Sequence, residues 1–139
     1  FPTRRSSDLT TNKIELNGYA EMYYHQNTSG PAVQNGMPFA YNYGISKKPA
    51  VNLVFIKASL NKERFRANLA LAAGSYMQAN YANEKGIYQH LLEANFGWKI
   101  SARKNWWLDI GVFNSHIGFE SAIGKDCWTL SRSLAAEHG

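Results

Sequence analysis

A single cysteine, Cys127, is all the chain possesses, which excludes an internal disulfide and a cysteine-rich zinc site. The four histidines, His25, His90, His116 and His138, stand far apart and at no metal-ligand spacing, so neither a metal nor a cofactor is expected. A nucleophile elbow, a phosphate-binding glycine loop and any low-complexity tract are also missing. The net charge of +5 is scattered rather than clustered, which argues against a nucleic-acid partner. Catalysis has little to rest on. Ser115-His116 and Ser121 supply hydroxyls, but a nucleophile and its base must meet in space with a third group orienting the base, and adjacency in sequence does not provide that. The expectation is a protein that is not an enzyme.

The first nine residues share neither composition nor pattern with the rest of the chain. Phe-Pro-Thr-Arg-Arg-Ser-Ser-Asp-Leu reads as translated adapter DNA, one frame of a widely used sequencing-library adapter; the competing reading is a natural basic leader. Residues 1–9 are therefore expected to be an artefact, and residues 10–139 the amino-terminal part of one domain. Arg4, Arg5 and Asp8 contribute +1 of the net charge. If the frame begins inside an adapter, the lack of an apolar signal peptide says nothing about export. The end at Glu137-His138-Gly139 is expected to be a break too, since no finishing strand precedes it.

What the chain does have is alternation. Ile14, Leu16, Gly18, Ala20 and Met22 share one side of a period-two segment, opposed to Glu15, Asn17, Tyr19, Glu21 and Tyr23. Residues 26–50, rich in Gly, Pro, Asn and Ser, read as a loop. A second strand from about Asn52 to Leu60 sets Val54, Ile56, Ala58 and Leu60 against Leu53, Phe55, Lys57 and Ser59. The polar turn Asn61–Arg64 leads into a third strand, with Phe65, Ala67, Leu69 and Leu71 opposite Arg64, Arg66, Asn68 and Ala70. Pairing Leu60 with Phe65 puts apolar against apolar along this hairpin. Residues 74–86 lose the period and read as a second long loop. A fourth strand, roughly Tyr88 to Ile100, aligns Leu92, Ala94, Phe96, Trp98 and Ile100, although its approach, Glu84 to Leu91, also suits a helix. After Ser101–Asn105 the fifth strand sets Trp106, Leu108, Ile110 and Val112 against Trp107, Asp109, Gly111 and Phe113. Pairing Ile100 with Trp106 would align Trp98 with Leu108 and Phe96 with Ile110. The remainder reads as loop, with a short helix at Ser131–Glu137.

These observations point to an all-β fold: an antiparallel transmembrane β-barrel, of which about five strands are present. Strands of about 9 to 11 tilted residues suit a bilayer core of roughly 30 Å. The connections run long, short, long, short, the asymmetry of outer-membrane barrels. Phe65, Trp98 and Trp106 gather near the short turns, and Tyr23, Tyr24, Tyr76, Tyr81 and Tyr88 near the long loops, as two interfacial girdles would. A mean hydropathy of −0.40 beside 14% aromatic residues fits a wall that is apolar outside and polar within. The competitor is a soluble β-sandwich or lipocalin-like barrel, whose apolar face would point inward and be bulky. Here Gly18, Ala20, Ala58, Ala67 and Ala94 interrupt that face.

Lys57-Ala58-Ser59, then Arg64-Phe65-Arg66-Ala67-Asn68-Leu69-Ala70-Leu71 and Gly74, resemble the outer-membrane β-barrel porins called OmpL-like. So does the more specific run from Trp107 through Val112-Phe113, Ser115–Ser121 and Trp128–Ser133, and the resemblance extends from about Ile14 to Glu137. It implies a porin of the bacterial outer membrane, several times longer than this chain, and it carries no defined catalytic or binding residues. A water-filled channel for passive diffusion of small solutes or ions is the expected function; the alternative is a soluble or closed β-barrel binding protein without channel activity. Expected partners are outer-membrane lipid and the solutes or ions themselves, and a homo-oligomer is compatible with the pattern. The polar sides of the strands give the expected pore lining: Glu15, Asn17, Glu21, Lys57, Arg64, Arg66, Asn68, Glu93, Asn95, Lys99 and Asp109. Residues 114–139 are expected either to enter the lumen, with Glu120, Lys125, Asp126 and Arg132 as a charged rim, or to form an ordinary surface loop. A sugar-binding surface built from Trp106, Trp107 and Trp128 is disfavoured, because Trp106 and Trp107 point to opposite sides of their strand.

Overall fold

The computed structural model describes residues 14–26, 42–101, 103–114 and 121–127. Five strands form one open antiparallel sheet in sequence order: β1 (Ile14–Tyr23), β2 (Ala50–Asn61), β3 (Phe65–Ala73), β4 (Leu91–Ser101) and β5 (Trp106–Val112). Each strand lies beside its chain neighbour, the order expected when hairpins alone connect a sheet. No helix among the described residues is long and apolar enough to cross a membrane.

The alternation read from the sequence becomes a division between exposed and sheltered side chains, and it runs opposite to that of a soluble protein. Leu16 is 72% exposed, Ile56 67%, Trp98 61% and Ile110 62%. On the other side of the strands Leu53, Lys57, Arg66, Ala70, Glu93 and Asp109 are half-buried or buried, while Glu15 and Asn17 of β1 and Gly111 of β5 are exposed. On the apolar side Leu92 is buried and Leu60 and Phe65 are half-buried. A water-soluble sheet covers its apolar side, because burying a Leu or Ile side chain stabilises by about 1.5 to 3 kcal/mol. Here the large apolar side chains are left outward along every strand.

Among the described residues, contacts gather into two compact units, one comprising 14–17, Ile56–Leu71 and 92–114, the other 18–26, 42–55, Ala72–Leu91 and 121–127. The first contains both short turns. Lys62 N–H donates to the Phe65 carbonyl at 2.8 Å to close one, and Lys104 N–H reaches the Ser101 hydroxyl at 3.3 Å in the other. Across β4 and β5, Phe96 pairs with Ile110 and Trp98 with Leu108, as the apolar pattern requires. Trp106, however, pairs with Ser101 rather than Ile100, because the register shifts between Lys99 and Ser101. The extra residue is a β-bulge beside the turn, where Asn105 takes a positive φ of 51°.

The second unit holds most of the small apolar core, with Leu53, Ala72, Tyr76 and Met77 all buried. Residues 74–86, expected as loop, contain α1 (Ser75–Asn80), and the expected first residues of β4 form a 3-10 turn over Gly86–His90. Six residues are too few for a helix to persist in water by itself; burial of Tyr76 and Met77 holds it in place. The Tyr81 N–H closes its end on the Met77 carbonyl at 2.9 Å, and His90 Nδ1 lies 3.1 Å from the Ala72 carbonyl. Gly74 joins β3 to α1 at φ 128°, and a Cβ there would lie 2.8 Å from the Asn52 carbonyl carbon, so only glycine makes this junction without strain. The expected helix at Ser131–Glu137 lies outside the described residues.

The polar face of the sheet as candidate functional site

In the unit with the short turns, charged side chains reach across the sheet rather than along it. Lys57 of β2 meets Glu93 of β4 at 2.5 Å, and the Arg66 guanidinium of β3 grips Asp109 of β5 through Nε at 2.8 Å and Nη2 at 2.5 Å. Each pair therefore spans one intervening strand. Neighbouring strands lie about 4.8 Å apart, so each contact bridges twice that spacing and calls for a long basic side chain. Glu93 is the most sheltered of the four, and its carboxylate also accepts from Asn95 Nδ2 at 2.8 Å and Asn114 Nδ2 at 3.4 Å. Asn68 Nδ2 donates to Asn95 Oδ1 at 2.9 Å, extending the network back to β3. A buried carboxylate without such partners would be strongly disfavoured, so the ammonium and the amides together explain why Glu93 tolerates its site.

The Arg66–Asp109 contact needs a gap in β4, and Gly97 provides it. Gly97 pairs with Asp109, and a Cβ at Gly97 would lie 2.8 Å from Arg66 Cγ and 2.9 Å from Arg66 Nε. Trp107 supports the guanidinium from the same side, with Arg66 Cζ 4.7 Å and Lys99 Nζ 5.7 Å from the ring centroid. Both cation–π distances lie within the attractive range of about 6 Å. On the other side, Lys62 stands 5.1 Å from the Phe65 ring and Lys104 5.5 Å from the Trp106 ring, while Phe65 and Phe96 stack at 6.4 Å.

A separate polar cluster occupies the second unit, around Glu21 of β1. Its carboxylate accepts from the Tyr43 hydroxyl at 2.7 Å and from Asn52 Nδ2 at 2.9 Å. Asn52, almost wholly buried, also donates to Asn42 Oδ1 and accepts from the Tyr43 N–H and the Ser75 hydroxyl, each at 3.3 Å. Burial and the adjacent Glu21 carboxylate push the Tyr43 phenol well above the usual tyrosine range. Tyr23 accepts from the Ile45 N–H at 2.8 Å and meets Tyr43 edge to face at 5.2 Å. The segment 121–127 carries a 3-10 turn at Gly124–Asp126; Gly124 lies against Glu21 and Tyr43, and Lys125 Nζ stands 5.6 Å from the Tyr19 ring. Residues 42–49 and 121–127 thus both lie against the polar side of β1.

Of the eleven expected lining residues, Lys57, Asn68, Glu93 and Asn95 join one hydrogen-bonded set and Arg66 and Asp109 form a separate pair, with Lys99 beside that pair over Trp107. Glu21 belongs to the other cluster, and Glu15 and Asn17 are exposed on β1. Arg64 lies exposed in the turn before β3, where its carbonyl accepts from the Lys99 N–H at 2.8 Å. Trp107, Tyr43 and Asn52 were not among the expected residues. Trp107 had a signal, since it alternates in step with Asp109; Tyr43 had none, because loop closure brings it to Glu21, and Asn52 falls in step with the apolar Val54 and Ile56 of β2. The tyrosine girdle is also smaller than expected, with Tyr24 and Tyr88 exposed but Tyr76 buried against the core and Tyr23 turned to the polar side. Of the expected rim, Lys125 sits over Tyr19, Asp126 is exposed, and Glu120 and Arg132 lie outside the described residues.

An open antiparallel sheet with its apolar side chains outward and its ion pairs on the opposite face is part of the wall of a transmembrane β-barrel. Residues 13–139 match the family described as putative beta-barrel porin-2, OmpL-like, and the chain belongs to that family. No curated protein and no solved structure matches it.

Proposed function

We propose that the chain forms part of a water-filled channel in the bacterial outer membrane that passes small solutes or ions by passive diffusion, and that it catalyses no reaction. One observation carries the reading: large apolar side chains stay exposed along all five strands while the opposite side holds ion pairs and hydrogen-bonded amides. Lipid solvates the first and water the second. Family membership and the alternation of short turns with long connections support the same reading. Glu15, Asn17, Glu21, Lys57, Arg64, Arg66, Asn68, Glu93, Asn95, Lys99 and Asp109 are its proposed lining, with Arg64 at the mouth; outer-membrane lipid and the permeating solutes are its proposed partners, and a homo-oligomer is compatible with it.

The test is single-channel recording in a planar bilayer with the complete gene product, folded to a heat-modifiable barrel. Stable ohmic steps support the channel. A correctly folded barrel that passes no current keeps the fold and removes the function. A second reading, a closed barrel that binds a ligand without conducting, draws on the two segments packed against the polar side of β1. The same recording separates them.

A further inference from the structure

The two ion pairs of the short-turn unit leave the Lys99 ammonium, which extends from β4, without a carboxylate among the described residues. Lys57 meets Glu93 and Arg66 meets Asp109, but among the described residues the Lys99 ammonium faces only the Trp107 ring, 5.7 Å away. An aromatic face attracts a cation without cancelling its charge. Arg66, 4.7 Å from the same ring, commits Nε and Nη2 to Asp109, which leaves the donors of its Nη1 uncommitted among the described residues.

We infer that Lys99, held over Trp107 beside the Arg66–Asp109 pair, makes the channel prefer small anions over cations. The inference rests on the proposed channel and deepens it by naming the charge class of the permeating species. A low-dielectric wall focuses the field of an unbalanced charge into the aqueous path, concentrating counter-ions there. Lys99 is half-buried and extends from a strand, so its position is fixed well enough to act on passing ions. One ammonium with a few loosely engaged donors binds an anion weakly, as conduction requires, since an ion that enters must also leave.

The experiment is the zero-current potential of the complete protein in a planar bilayer under a potassium chloride gradient, for wild type, Lys99→Gln and Lys104→Gln. Lys104 stands over Trp106 on the apolar side and serves as the control. The expected result is a wild-type potential of the sign that marks chloride preference, moved toward zero by Lys99→Gln and unaltered by Lys104→Gln. A potential marking potassium preference, or a chloride preference that Lys99→Gln leaves intact, overturns the inference while the channel stands. A folded barrel without current overturns the channel reading and this one with it.

Discussion

Gly97 shows how much one missing side chain can permit. Any Cβ at that position intrudes on Arg66 and Asp109, so Gly97→Ala forces the pair apart or shifts β4 against β5. Overpacking of this kind destabilises by about 1 to 3 kcal/mol. The expected outcome is a lower midpoint of thermal unfolding for the detergent-folded protein, with little change when the exposed Gly86, which has no neighbour within 4 Å of a Cβ, becomes the left-handed-tolerant Asn. Tyr43 makes a different prediction. Its phenol keeps its proton at a pH where the unfolded chain releases it, above the ordinary tyrosine value of about 10. The stability it contributes is fully present below that value and declines as pH rises beyond it. Phenolate absorbance should therefore show a late-ionising component that is diminished in Tyr43→Phe. That variant also loses the bond to Glu21, at a cost of about 1 kcal/mol, low in the usual range because Tyr43 is only half-buried.

At the scale of the strand, the exposed apolar side meets either lipid or nothing. Ile56 lies near the middle of β2 and is largely exposed. Ile56→Arg should destabilise the membrane-folded protein by about 2 to 4 kcal/mol if that side faces the bilayer midplane. A surface substitution in a water-soluble sheet would change stability by no more than about 0.5 kcal/mol. Denaturant titration in lipid vesicles distinguishes the two, and an unchanged midpoint contradicts the lipid-facing assignment. The strands themselves were legible in the sequence, because period-two alternation is written into neighbouring residues. α1 was not: at six residues it shows no helical period, and it exists because Tyr76 and Met77 find buried sites. The register of β4 and β5 was legible to within one residue at the turn, where the bulge between Lys99 and Ser101 obeys local backbone geometry rather than hydrophobic pattern. The Lys57–Glu93 and Arg66–Asp109 partners were placed on the correct side, but not paired, since each contact skips a strand and no spacing rule along one chain encodes that.

For the whole molecule, the two outer strands β1 and β5 decide its behaviour in isolation. Five strands fall short of the eight found in the smallest single-chain outer-membrane barrels, so in the described sheet both outer strands have unpaired backbone groups that lipid cannot satisfy. Expressed alone in aqueous buffer, the 139-residue chain should aggregate or remain unfolded by size-exclusion chromatography. A soluble monomer with one cooperative unfolding transition would contradict the barrel assignment. The ion pairs that skip a strand have a consequence for how such a wall is assembled. A strand that slips by one residue turns its charges toward lipid and is rejected by the bilayer itself. A slip by two residues keeps every side chain on its proper side, and lipid cannot sense the error. Such a slip would move Gly97 away from Asp109 and bring Asn95 or Lys99 into the path of Arg66. The pair then cannot form, so Arg66 and Asp109 proofread the one class of misalignment that the membrane lets pass.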